Sequence, residues 1–335
     1  MKLTPGKLAG LKAVSDARGV IAAAAMDQRG SLQKSIAKER GAASDFHDLE
    51  EFKELVTDVL TRYSSAILLD PEYGLPATKL RNSAGLLLAY EKTGYDSATP
   101  GRLPDLLDVW SVRRLKEAGA DCIKILLYYT PFEKTSINDL KHAWIERIGD
   151  ECLAHDIPFF LEFVGYDTDG GDEKSLGYAL KKPAIVSGSM AEFGKARYNV
   201  DVLKVEVPVQ MAFVEGTKAY KGEKAYTRAE ALQHFRDAEQ MTHKPFIYLS
   251  AGVSNPVFIE TLALAGESGT KFNGVLCGRA TWADGVPIFA RQGPKAFKDW
   301  LETTGVENIQ NVNKALEAAT PWYTRFGATS LEELG

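Results

Sequence analysis

Eight short β-prone runs recur at intervals long enough to hold a helix, and this spacing constrains the fold more than any other feature of the chain. They span 20–26, 65–69, 85–90, 121–128, 158–164, 201–207, 245–249 and 272–277. Amphipathic helices are predicted over 105–118, 138–155, 228–241 and 256–267, between the runs, with a terminal helix over 306–319 packed outside. Strands alternating with helices indicate a parallel sheet. Length alone would suggest two domains, but 335 residues that are 45% hydrophobic also suit one large core. Eight βα repeats fit a closed (β/α)8 TIM barrel with an additional C-terminal helix better than an open doubly wound sheet. The whole chain, 1–335, therefore reads as one barrel domain. Gly170-Gly171 and the 216–224 segment read as insertions after strands five and six, where a barrel can carry lids.

A barrel concentrates its chemistry at the C-terminal ends of its strands, and those ends are polar here. Strand one leads into Asp27-Gln28-Arg29-Gly30, strand two into Asp70-Pro71-Glu72 and strand three into Glu91-Lys92. Strand five carries Glu162, strand six Lys204 and Glu206, strand seven leads into Ser250-Ala251-Gly252, and strand eight ends in Gly278-Arg279. Strand alternation turns Lys124, Glu162, Lys204 and Glu206 toward the axis, while Ile123, Ile125, Leu161, Phe163, Leu203 and Val205 face the helices. Lys204 stands in a run of valines and leucines, where desolvation disfavours the ammonium and a second inward amine, Lys124, adds to the effect. A lysine at a strand end reaching back to water is the plainer alternative. Glu162, between Phe160 and Val164 on the same face, is expected to have a raised pKa suited to proton exchange. The combination is an amine nucleophile, a carboxyl acid/base and supporting charges; an ion-pair network that only fills the barrel is the competing explanation. Ser250, Gly252, Gly278 and Arg279 read as an anion cradle of loop amides and a guanidinium after strands seven and eight.

Other classes lack sequence support. Forty basic and 45 acidic residues give a net charge of −5 with no basic block, which argues against nucleic-acid binding. Neither GxGxxG nor a P-loop is present, and the five histidines fall away from strand ends without HxxxH spacing, so neither metal nor organic cofactor is expected. Cys122, Cys152 and Cys277 are odd in number and sit in apolar contexts. With no apolar leader or ~18-residue apolar span, they suggest a cytoplasmic protein with no membrane partner, and its homo-oligomeric state stays open.

Six motifs together resemble the bacterial class I tagatose-1,6-bisphosphate aldolases. They are Ala25-Met26-Asp27-Gln28-Arg29-Gly30, Leu69-Asp70-Pro71-Glu72-Tyr73-Gly74-Leu75, Leu88-Ala89-Tyr90-Glu91-Lys92-Thr93-Gly94-Tyr95, Asp201-Val202-Leu203-Lys204-Val205-Glu206, Tyr248-Leu249-Ser250-Ala251-Gly252-Val253 and Val275-Leu276-Cys277-Gly278-Arg279-Ala280-Thr281-Trp282. The likeness covers nearly the whole chain and is weakest over 173–197 and 219–225. It implies Lys204 as Schiff-base lysine, Glu162 as acid/base, and Asp27 and Lys124 beside them. It also implies Ser250, Gly252, Gly278 and Arg279 at the C1 phosphate, with Gln28 and Arg29 toward the far end of the sugar. The implied reaction is reversible cleavage of D-tagatose 1,6-bisphosphate to dihydroxyacetone phosphate and D-glyceraldehyde 3-phosphate. Fructose 1,6-bisphosphate, a sulfo-sugar phosphate, or sugar-phosphate sensing without turnover are the alternatives.

Overall fold

A computed structural model describes residues 3–93 and 99–334. Gly94 and Tyr95 of the third motif lie outside the described residues. Eight strands, β1 (Ile21–Met26), β2 (Ala66–Leu69), β3 (Gly85–Ala89), β4 (Cys122–Tyr128), β5 (Phe159–Val164), β6 (Val202–Val205), β7 (Phe246–Leu249) and β8 (Gly274–Cys277), pair in parallel in sequence order and close β8 onto β1. Each of the eight predicted runs contains one of them. The helices are α1 (Pro5–Ala13), α2 (Gly30–Arg40), α3 (Phe46–Leu60), α4 (Val112–Glu117), α5 (Thr135–Ala154), α6 (Leu176–Phe193), α7 (Arg228–Gln240), α8 (Asn255–Glu267), α9 (Arg279–Trp282), α10 (Val286–Trp300) and α11 (Val306–Ala315). None of the described helices is long and apolar enough to cross a membrane.

The period of two sorts the strand residues as expected. Ile123, Ile125, Leu161, Phe163, Leu203 and Val205 pack with the helices, while Ala23, Ala25, Ala66, Ala89, Phe160, Val202 and Ile247 fill the interior. Small residues from β1 to β3 offset the bulk of Phe160 across the barrel. Leu8 and Leu11 of α1 and Val14 just past it, with Trp322, Ala328 and Leu334 from the C-terminal segment, join that interior cluster and plug one end of the barrel. There Lys7 Nζ pairs with Asp201 at 2.9 Å, and Asp201 accepts from Phe159 N–H at 2.8 Å. The closed end is the N-terminal one, so the C-terminal mouth is left to carry the site.

One expectation needs correction and two gain detail. The predicted helix over 105–118 is helical only as α4, because Ser111 caps the helix through Arg114 N–H. The residues before it run back along β3, with Leu107 N–H donating to Tyr90 O and Leu106 bridging Glu91. The terminal helix ends at Ala315, passes into a 3-10 turn over Leu316–Ala318, and continues from α10 through a π turn over Leu301–Gly305. The 216–224 segment is fastened sideways to α8 by Lys218 and Ala219 amides donating to Glu260.

Candidate active site

At the mouth Lys204 lies in register with Glu162 on the adjacent strand, and Lys204 Nζ is 2.9 Å from Glu162 Oε2. Lys124, one strand further round, reaches the same oxygen at 2.8 Å. Both ammonium contacts converge on Oε2, and neither has the alignment of a well-formed hydrogen bond. Lys124 is fully buried and also holds Asp27 Oδ2 at 2.7 Å and Glu91 Oε1 at 2.9 Å. Burial opposes its charge, yet Asp27, Glu162 and Glu91 together raise its pKa well above the ordinary lysine value. Asp27 shows the reciprocal effect: burial favours its acid form, but Lys124, Lys204 and Lys53 hold it well below the usual carboxylate range. Glu91 differs, since burial raises its pKa despite Lys124 and Arg29.

These positions give the two inward lysines different jobs. Lys124 is a locked cation inside three carboxylates, whereas Lys204 makes a direct ion pair with one, Glu162, and retains 4% exposure. Lys204 is the less enclosed of the two amines, with the Glu162 carboxylate directly beside it. The setting of Glu162 is ionic: two ammonium groups reach its carboxylate, in place of the apolar surroundings expected from Phe160 and Val164. Glu206, expected to face the axis, does not join the ring. The strand ends at Val205, and the Glu206 carboxylate accepts from Gly165 N–H at 2.7 Å and pairs with Lys182 of α6 at 3.1 Å.

Glu91, in sequence only a polar strand end, belongs to the cluster. Lys53 joins it from a helix, where no strand-end pattern points to it. From α3 its fully buried ammonium meets Asp70 at 2.6 Å and donates to the carbonyls of Met26 and Gln28, tying β1 to β2 directly below Asp27. Its signal was present: Lys53 occupies the apolar stripe of Leu49, Phe52, Val56 and Leu60, where an unpaired charge is not tolerated.

Ser250, Gly252, Gly278 and Arg279, expected to form an anion cradle, lie together on the β7–β8 side. Ser250 is buried, and Ala251 and Gly252 both adopt left-handed φ values, 50° and 75°. A Cβ on Gly252 would lie 2.8 Å from Arg279 Cζ, so the missing side chain is what lets the guanidinium sit over this turn. The helix after Gly278 has only four residues, so an anion held here would rest on the loop's amides and Arg279 more than on a helix dipole. The Cys277 thiol beneath is pushed up to about 12 by burial, which leaves it un-ionised and a poor nucleophile.

Gln28 and Arg29 do not reach the far end of the site as expected. Gln28 Nε2 lies 3.5 Å from where a Gly278 Cβ would stand, which puts the amide beside the cradle, and its Oε1 is buried without a hydrogen-bond partner. Arg29 is 2% exposed, with Nη1 on Glu72 at 2.6 Å and Nη2 on the Glu91 carbonyl at 2.8 Å. That makes it a brace for the carboxylate cluster.

A closed eight-stranded βα barrel with an amine, a carboxylate and a locked cation at its C-terminal mouth, flanked by an anion cradle, has the architecture of a lysine-dependent aldolase. Residues 21–284 match the family model described as DeoC/LacD family aldolase. The chain belongs to that family. It is 52% identical over 330 residues to the tagatose 1,6-diphosphate aldolase of Listeria monocytogenes serotype 4a (strain HCC23), covering 98% of this chain and 97% of the relative. It is 55% identical over 327 residues to tagatose 1,6-diphosphate aldolase 2 of Enterococcus faecalis (strain ATCC 700802 / V583), covering 97% and 98% respectively. Its fold is similar to that of the fructose-bisphosphate aldolase from Plasmodium falciparum, solved with TRAP and a small-molecule inhibitor. The TM-score is 0.71 over 96% of this chain and 97% of that one, at 15% identity.

Proposed function

We propose that the chain acts as one domain, in the cytoplasm, as a Schiff-base aldolase that reversibly cleaves D-tagatose 1,6-bisphosphate to dihydroxyacetone phosphate and D-glyceraldehyde 3-phosphate. The substrate assignment is supported by the names of relatives at 52–55% identity. The observation that carries the mechanism is the asymmetry of the two lysines: Lys124 is held as a cation by three carboxylates, while Lys204 stands 2.9 Å from the one carboxylate able to relieve it of a proton.

In this reading Glu162 accepts a proton from Lys204, and the free amine attacks the C2 carbonyl of the open-chain ketose. The carbinolamine loses water with Glu162 returning the proton, and an iminium forms. Glu162, again a carboxylate, takes the C4 hydroxyl proton. The C3–C4 bonding pair moves onto C3 and into the iminium, so glyceraldehyde 3-phosphate leaves as the aldehyde and an enamine remains on Lys204. Protonation at C3 and hydrolysis release dihydroxyacetone phosphate and restore the lysine. Lys124 keeps a positive charge beside the reacting carboxylate throughout, and the cradle of Ser250, Gly252, Gly278 and Arg279 binds the C1 phosphate and presents C2 to Lys204.

Borohydride added with dihydroxyacetone phosphate should inactivate the protein and attach the reduced triose to Lys204, and Lys204→Met should lose both labelling and cleavage. Labelling at Lys124 instead would overturn the assignment.

A further inference from the structure

Arg102, on the connection from β3 to α4, sits at the mouth in a setting that packing alone does not explain. Its guanidinium carbon lies 5.0 Å from the ring centroid of Tyr128 and 5.0 Å from that of Tyr166. Nη2 pairs at 2.6 Å with Glu173 on the connection after β5, with side chains 18% and 38% exposed. Gln210, on the connection after β6, donates to the Glu173 carbonyl, so three loops meet at this one ion pair. The Arg102 backbone has φ 44°, a region disfavoured for a residue with a side chain. Tyr128 has the same strand parity as Lys124 and stands further toward the mouth. Burial raises the Tyr128 phenol, Arg102 and Arg279 oppose the rise, and Glu162 and Glu173 add to it; one ring thus feels both arginines and the acid/base.

The order of strands around the barrel gives these positions a direction. Arg279 and Gly252 stand at β8 and β7, Lys204 at β6, Glu162 at β5, and Tyr128 with Arg102 at β4. A ketose bisphosphate whose first phosphate, C2 and C4 hydroxyl follow that order carries its last phosphate toward Arg102. Other described cations nearby are committed: Arg29 lies between Glu72 and Glu91, and Lys141 is buried behind Tyr128, donating to the Tyr128 carbonyl and the Tyr166 hydroxyl.

We propose that Arg102 captures the distal, C6 phosphate of the substrate, giving up its bond to Glu173 for the phosphate oxygens. This inference rests on the bisphosphate aldolase reading given above. Glu173 holds the guanidinium aimed and neutralised in the free protein, and a phosphate near two negative charges outcompetes a single half-exposed carboxylate. Arg102 then sets the preference for a substrate phosphorylated at both ends.

The test compares kcat/KM for tagatose 1,6-bisphosphate with that for tagatose 1-phosphate. Arg102→Gln should lower the ratio of the two about 10- to 100-fold, mainly through KM for the bisphosphate. Arg102→Met, which keeps an apolar stem over the two rings, should do the same. Glu173→Gln should keep the ratio or raise it, since it removes only the competitor. An equal loss on both substrates, or the same collapse of the ratio in Glu173→Gln, would mean that Arg102 only clasps the loops and would overturn the proposal. Borohydride trapping with dihydroxyacetone phosphate separates the two levels of inference. Absent trapping in the unaltered protein sinks the aldolase reading, whereas normal trapping with an unchanged ratio in Arg102→Gln sinks only the role of Arg102.

Discussion

Replacing Lys124 by methionine removes the charge that contacts three buried carboxylates at once. At 2.7 to 2.9 Å each contact is worth about 6 kcal/mol before desolvation, taking an effective dielectric of ~20. Three such contacts exceed the several kcal/mol needed to bury an ammonium, which agrees with the upward direction of the Lys124 pKa. Lys124→Met should therefore cost about 3–5 kcal/mol at pH 8, the usual range when one partner of a buried charge network is deleted. The cost should depend on pH. In the native protein the Asp27 pKa is depressed, so its contribution is present above the unfolded value of about 4 and is lost only as pH falls through the lower folded value. Without Lys124 the sign reverses: Asp27 rises, and Glu91, already raised by burial, rises further. Carboxylates with raised folded values destabilise increasingly above pH ~4, so the gap between mutant and native protein should be largest at pH 8 and clearly smaller at pH 5. Urea unfolding at both pH values, with m-values checked for constancy, measures it. A gap that is unchanged between them, or wider at pH 5, would refute the argument that Lys124 is the counter-charge of this cluster.

Glu162→Gln keeps the shape but removes the base, and cleavage should fall by about 10²–10⁴ while sugar phosphate still binds; near-normal turnover would move the acid/base role to Asp27. Arg279→Ala should raise KM for the bisphosphate by about 1.5–3 kcal/mol, the value of a charge-assisted contact, and a loss confined to kcat would contradict a binding role. Gly252→Ala forces a side chain into a φ of 75° and 2.8 Å from Arg279 Cζ. KM should rise as the guanidinium is displaced, with about 1 kcal/mol lost in thermal or urea unfolding; unchanged kinetics would show that the close approach is dispensable.

The sequence by itself determined the barrel and the composition of its mouth. Strand parity is a local property, so the inward positions of Lys124, Glu162 and Lys204 could be read from apolar neighbours such as Ile123, Leu161 and Leu203 without knowing what lay opposite. Motif length likewise marked the turns that carry Ser250, Gly252, Gly278 and Arg279. What the tertiary structure decided was the pairing of charges. Parity stops where a strand stops, and so Glu206, one residue past β6, turns to Lys182 and Gly165. Whether a buried lysine is a nucleophile or a fixed cation depends on how many carboxylates reach it from other strands. Lys124 meets three, from β1, β3 and β5, while Lys204 meets one. Arg29, a neighbour of Asp27 in sequence, is turned away from the mouth by Glu72 and Glu91, and Arg102, outside the six motifs, is brought to the mouth by Tyr128, Tyr166 and Glu173. Electrostatic partnership in a closed barrel is set by distances across the ring, and those exist only once β8 has closed on β1.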